Sequence, residues 1–241
     1  MGNIENSVID FLTYSTFSFS LYSLQCKEAN DILEKIIARA YRDAASHVAN
    51  ENTDRKVKGT KIISEAIKKL KDTQICYCAW HKELCRKLEM DLSGTFGFSQ
   101  KWVNMTMKYL VLVCDLWQGM QNKCESKFVN EYCTIVDNYR NCFHPPVDRF
   151  IINTVWKLSK EVSLPLKEGV SPEKRNKTDY KNPADYVKPW SQWSETDYDS
   201  FYMSICKQIK NGEDALEWEG SAWIKAVEGR YLEDAANEST P

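Results

Sequence analysis

From Gln100 to Trp117 apolar side chains, among them Trp102, Val103, Met105, Met107, Tyr109, Leu110 and Val113, wrap most of the circumference of one helix. A helix that is apolar on nearly every side has to be enclosed by other elements, so this stretch predicts a central helix with partners around it. The partners read as helices too. Ile32, Leu33, Ile36, Ile37, Ala40 and Tyr41 recur at helical spacing within 26–50, with Glu34, Lys35 and Arg39 on the other side. A polar, charged break is expected at 51–61, followed by helices at 62–71, 73–90, 126–142, 147–162, 195–210 and 214–227, with a frayed tail after Glu233. No stretch alternates at period two for long enough to form a sheet, and no internal repeat is found. The fold class expected is all-α.

Punctuation between these helices is sparse, since the chain has only 9 Gly and 7 Pro in 241 residues. Asp91 to Ser99 is the one glycine-bearing turn between strong helical patterns, and Ser99 is placed to cap the helix that follows. At Asn141-Cys142-Phe143-His144-Pro145-Pro146 two prolines stop one helix and pre-set the first turn of the next. Residues 163–191 turn to Pro, Gly, Lys, Asn and Asp with few aliphatics, which predicts a long loop or insertion. The expected organisation is one helical domain, 1–241, with two helical subdomains. Residues 26–91 plus the C-terminal helices 194–236 would make one, residues 92–162 the other, with a cleft between them.

An apolar content of 43% with 27% charged residues describes an ordinary globular chain, neither disordered, collagenous nor membrane-spanning. Its length gives a core that needs no disulfide staples. The nine cysteines, at 26, 76, 78, 85, 114, 124, 133, 142 and 206, lack paired secreted-domain spacing, so free thiols in a reducing compartment are expected. Glu5 and Asp10 open the chain where a signal peptide would be basic, and Asn6 stands where an acylated Met1-Gly2 start would want Ser or Thr. A cytoplasmic location and no membrane association follow as expectations.

Two constellations could carry chemistry. In Cys76-x-Cys78-x2-His81-x3-Cys85 the last three members share one helix face. An i to i+7 separation spans about 10 Å of helix, too far for both cysteines to reach one zinc at roughly 2.3 Å, and Cys124, Cys133 and Cys142 meet the same objection. Buried small hydrophobes are the expectation for these cysteines, with no metal and no cofactor. The second constellation is Gly97-Phe-Ser-Gln-Lys101-Trp with His144-Pro-Pro-Val-Asp148-Arg. A glycine turn before a helix N-terminus offers amides to a phosphate. A lysine inside an otherwise apolar helix is desolvated, which favours the neutral amine, a usable nucleophile. An aspartate at a Pro-Pro helix start is rigidly held and sits at the positive end of that helix. The plainer roles are Lys101 reaching out to solvent and Asp148 capping its helix.

The order of these features resembles the helix-hairpin-helix DNA glycosylase superfamily: a glycine-bearing hairpin, Gln100-Lys101 opening a buried helix, Lys108 seven residues on, then Pro-x-Val-Asp148 opening a later helix. Within it the chain is most similar to the archaeal 8-oxoguanine DNA glycosylases, mainly over residues 90–157. The resemblance implies DNA containing a damaged base as partner, an oxidised purine as substrate, and excision with AP lyase activity. It makes Lys101 the amine that attacks C1′ and forms a Schiff base, with Asp148 deprotonating it or stabilising the cationic sugar. It also implies that Gly94, Gly97, Ser99 and Gln100 form the DNA-binding hairpin, and that Lys108, Glu219 and Trp223 contact the flipped base. The chain departs from the family in carrying Gly94-Thr-Phe-Gly97-Phe-Ser for Leu-Pro-Gly-Val-Gly, in a longer interval from Lys101 to Asp148, and in the 163–191 segment. A non-catalytic helical module binding nucleic acid, a nucleotide or a protein partner is the alternative. A monomer is assumed in either case.

The net charge of -2 shows none of the bulk basicity of many nucleic-acid binders. Its distribution is uneven. Lys and Arg outnumber Asp and Glu seven to three over 54–72 and seven to four over 150–182, whereas 194–241 carries four against eleven. DNA binding through this chain would have to be local, at the basic stretches.

Overall fold

The computed structural model describes residues 6–45, 53–72, 74–120, 125–158, 164–170, 186–210 and 213–238. Among these residues the chain is all-helical, and the one β-type pairing is an isolated antiparallel bridge between Leu166 and Val187. The helices are α1 (Asn6–Phe17), α2 (Ser23–Cys26), α3 (Ala29–Ala45), α4 (Thr53–Lys69), α5 (Tyr77–Asp91), α6 (Phe96–Gly119), α7 (Thr134–Tyr139), α8 (Arg149–Leu158), α9 (Glu195–Cys206) and α10 (Ala215–Glu238). A π-helical turn at Val129–Cys133 leads into α7, and 3-10 turns stand at Arg140–Cys142 and Trp190–Gln192.

The chain divides into two compact units, Met1–Gly94 with Ser99–Phe143, and Thr95–Phe98 with His144–Pro241. This differs from the grouping expected from sequence: the C-terminal helices fall with residues 144–162 and not with 26–91. In the first unit α3 packs on α1 and α4, and α4 on α5. Its centre is Trp102 on α6, fully buried, with Nε1 donating to Ile37 O at 2.9 Å and the ring lying edge-on to Tyr41 at 4.7 Å. In the second unit α8 packs on α10. There Trp193 is fully buried, donates from Nε1 to Lys188 O at 2.9 Å and sets its ring edge-on to Phe201.

Several boundaries differ from the sequence reading. The polar stretch at 51–61 is helical from Thr53 onward, because its charged residues occupy the outer face of α4 while Gly59 and Ile63 turn inward. The N-terminal segment, which is not among the helices expected from the sequence, forms α1. There Thr13 and Thr16 return their hydroxyls to the carbonyls of Ile9 and Leu12 one turn back, so neither competes with the helix as a free polar group. The tail after Glu233 continues in α10 as far as Glu238. Within the expected 163–191 loop, Lys167 N donates to Tyr186 O at 2.8 Å and Lys188 N to Pro165 O at 2.9 Å, so the two arms are paired at their base. Residues 171–185 lie outside the described residues.

The expectation of free thiols throughout is corrected at one pair. Cys114 on α6 and Cys133, which ends the π-helical turn, form a buried disulfide with Cα atoms 5.5 Å apart. Neither spacing nor count identifies this pair, because helix packing alone brings the two residues together across a sequence separation of 19. Cys26, Cys76, Cys78, Cys142 and Cys206 are exposed thiols outside any disulfide, and Cys85 is a buried one; Cys124 lies outside the described residues. Tryptic digestion without reductant is expected to yield one linked peptide pair carrying Cys114 and Cys133, which separates on reduction. Mass spectrometry reads this directly, and two unlinked peptides would contradict the bond.

Candidate functional site

The site grows from the α5–α6 connection. Helix α5 closes with Leu92 N donating to Leu88 O at 3.1 Å and Gly94 N to Glu89 O at 3.0 Å, around Ser93 in the left-handed region at φ 48°. Arg55 Nη2 donates to Leu92 O at 2.9 Å and to Ser93 O at 3.1 Å, and Lys58 Nζ donates to Asp91 O at 2.7 Å. Cations at the negative end of α5 are electrostatically favourable. This is where the N-terminal end of the 54–72 basic stretch sits, while Lys71 at its other end pairs with Glu131 at 2.8 Å.

Helix α6 begins four residues earlier than expected, at Phe96, so Ser99 is not its cap. Thr95 caps it: Thr95 Oγ1 accepts from Phe98 N at 3.2 Å and donates to Ser191 O. Of the four hairpin residues named from sequence, Gly94 is half-buried, with open space where a Cβ would stand. Gly97 is buried against the 190–193 turn, donating to Trp193 O at 2.9 Å, and a Cβ there would lie 2.0 Å from Trp190 O. Ser99 is 2% and Gln100 0% exposed. Of the four, only Gly94, in the turn at 92–94, keeps part of its surface accessible.

Lys101 follows in the second turn of α6 and is 6% exposed, so it does not take the solvent-reaching role; lysine is rarely buried to this degree. Beside it runs a ladder of buried polar side chains. His81 Nε2 on α5 lies 2.8 Å from Asn104 Oδ1, and Asn104 Nδ2 donates to Gln100 Oε1 at 3.0 Å. Cys85 Sγ lies 3.7 Å from the same His81 nitrogen. The cysteine–histidine constellation thus splits, with Cys76 and Cys78 exposed and His81 and Cys85 in the interior. Among the described residues no three His, Cys, Asp or Glu side chains converge as metal ligands. Two turns beyond Lys101, Lys108 is half-buried next to Tyr109, whose hydroxyl bonds Asp43, itself paired with Arg39. Burial first, then the Asp43 carboxylate, hold the Tyr109 phenol well above its ordinary pKa.

In the second unit Asp148 takes the capping role. Its Oδ1 accepts from Phe150 N at 2.9 Å and Ile151 N at 3.1 Å, at the start of α8. The strut leading to it is buried from His144 to Val147. His144 Nδ1 lies 3.0 Å from Tyr198 Oη, and its ring stacks on Tyr202 at 4.0 Å. On α10 Glu219 is buried, whereas Trp223 is 39% exposed and packs edge-on against Phe150 at 5.7 Å. Lys101 and Lys108 thus belong to the first unit, and Asp148, Glu219 and Trp223 to the second. Sequence reasoning placed His81 with the cysteines and missed its pairing with Asn104, and missed that of His144 with Tyr198, because each joins two elements and no local spacing signals it. No helix among the described residues is long and apolar enough to cross a membrane. Comparison with protein-family models, with curated proteins and with solved structures finds no match to this chain.

Proposed function

We propose that this protein is a helix-hairpin-helix DNA glycosylase with AP lyase activity, acting on an oxidised purine such as 8-oxoguanine. The observation that carries the reading is Lys101, only 6% exposed in the second turn of the helix that follows a short, glycine-bearing turn. A lysine side chain held in the interior by its helix is kept in one place, as an amine nucleophile has to be. Lys101 Nζ attacks C1′ as the glycosidic bond breaks and the base leaves with a proton; opening of the sugar ring then gives the imine. Asp148, held by two α8 amides, accepts the lysine proton or stabilises the cationic sugar. Arg55 and Lys58 place positive charge beside the hairpin turn, as a phosphate-facing surface requires. Trp223 offers an exposed aromatic face, the kind of wall on which a flipped base stacks.

Borohydride trapping tests this reading. The wild-type protein is expected to form a covalent adduct with duplexes containing 8-oxoguanine or an abasic site, and Lys101→Ala none. A wild-type yield no greater than that of Lys101→Ala overturns the proposal. The second reading, a non-catalytic binding module, is favoured by the exposed apolar side chains of Val8, Phe11 and Leu12 on α1, and that null result would leave it standing.

A further inference from the structure

We infer that His81 is a positioning residue that, through Asn104 and Gln100, fixes the helical turn from which Lys101 projects. The inference rests on the reading of Lys101 as the nucleophile. His81, Asn104 and Gln100 are all 0% exposed. Gln100 and Asn104 flank Lys101 at i−1 and i+3 of one helix, and their mutual hydrogen bond of 3.0 Å spans the turn that contains it. His81 fastens this turn to α5 at 2.8 Å. The directions are fixed by the chemistry of the groups: Asn104 spends its amide on Gln100 Oε1, so its Oδ1 faces His81, and His81 Nε2 has to carry a proton. Tyr77 stacks on the imidazole at 6.1 Å with an interplanar angle of 27° and limits its rotation.

Stability alone does not account for such a ladder, because apolar side chains of similar shape fill the same space without polar groups to satisfy. Buried polar side chains that bond one another across two helices specify one arrangement instead. A nucleophile must be held close to its attack geometry, and the ladder sets the rotation of α6 about its axis at Lys101. The neighbouring Trp102 anchor on the opposite strip of α6, bonded to Ile37 O, completes the restraint.

The test uses the full chain with His81→Leu, which removes the donor, and His81→Gln, which retains an N–H. Two readouts are taken: the single-turnover rate of borohydride-trapped adduct on a saturating abasic duplex, with the duplex Kd, and the ε-methylene 13C resonance of Lys101, assigned by its loss in Lys101→Arg. His81→Leu is expected to slow trapping at least tenfold with Kd changed less than twofold, and to shift the Lys101 resonance; His81→Gln is expected to recover most of both. A Lys101 resonance unmoved in His81→Leu overturns the inference, however far the melting temperature falls. Should His81→Leu fail to fold, Asn104→Ser is read by the same two measurements and the same criterion. A wild-type protein that traps no DNA while its Lys101 resonance still moves in His81→Leu sinks the glycosylase reading and leaves the positioning role standing.

Discussion

Replacing Gly59 with valine is expected to lower stability by about 3 kcal/mol or more, the upper range for overpacking a well-filled core. A Cβ at Gly59 lies 2.2 Å from Trp102 Cη2 and 2.3 Å from Cζ3. The indole cannot retreat, since Ile37 O holds its nitrogen and Tyr41 stands edge-on to the ring. Valine adds two further carbons to that contact. Even alanine, which in a helix ordinarily gains roughly 0.5–1 kcal/mol over glycine, is expected to lose stability here. Gly220→Ala on α10, where a Cβ meets nothing within 4 Å, serves as the control and should be neutral or stabilising. Urea melts of the three variants decide it. The clashing atoms belong to the six-membered ring of the indole and have no counterpart in a smaller side chain, so Trp102→Leu combined with Gly59→Val should cost less than the sum of the two changes. Additive losses would show that α4 and α6 do not meet at this point.

That contact also shows what a single sequence conveys about such a fold. The all-round apolar character of 100–117 was enough to place α6 at the centre, and the spacing of Ile32 to Tyr41 was enough for α3. Neither pattern reveals that α4 approaches α6 closely enough to need glycine. Gly59 sits inside a polar run that reads as a break because charged residues outnumber apolar ones, yet a surface helix needs only a narrow inward strip. The start of α6 was misplaced for a related reason. Ser99 and Thr95 are both capable caps, and the docking of Gly97 on the Trp190–Trp193 turn selects Thr95. That choice depends on residues almost a hundred positions away.

The candidate site divides along the same line. Lys101 as a lysine inside an apolar helix and Asp148 at a Pro-Pro helix start are local patterns, and both are visible in the sequence. The His81–Asn104–Gln100 ladder, the His144–Tyr198 pair and the Cys114–Cys133 bond each join separate elements. Gln100 shows the cost of reading position without packing: next to Lys101 it was assigned to a DNA-facing hairpin, whereas it is buried and its Oε1 accepts from Asn104 Nδ2 in the interior. Gly97 likewise serves backbone packing in the second unit.

Asp148→Asn is expected to cut adduct formation at least a hundredfold, within the range that a positioned acid or base supplies, with folding stability changed by no more than about 0.5 kcal/mol. Asparagine is isosteric and an equally good N-cap, so its Oδ1 keeps the bonds from Phe150 N and Ile151 N. What it loses is the charge, and with it the capacity to accept the lysine proton or face a cationic sugar. Asp148→Ala removes the cap as well, and should add a stability loss of about 1 kcal/mol to the same chemical defect. Thermal melts and single-turnover trapping on one abasic duplex therefore separate the capping role of this carboxylate from the chemical role proposed for it. If Asp148→Asn traps as fast as wild type while Asp148→Ala is both less stable and slower, the residue acts through its helix, and the proton acceptor for Lys101 has to be sought elsewhere. If both variants trap slowly and only the alanine variant melts early, capping is the means by which α8 holds a catalytic carboxylate in place.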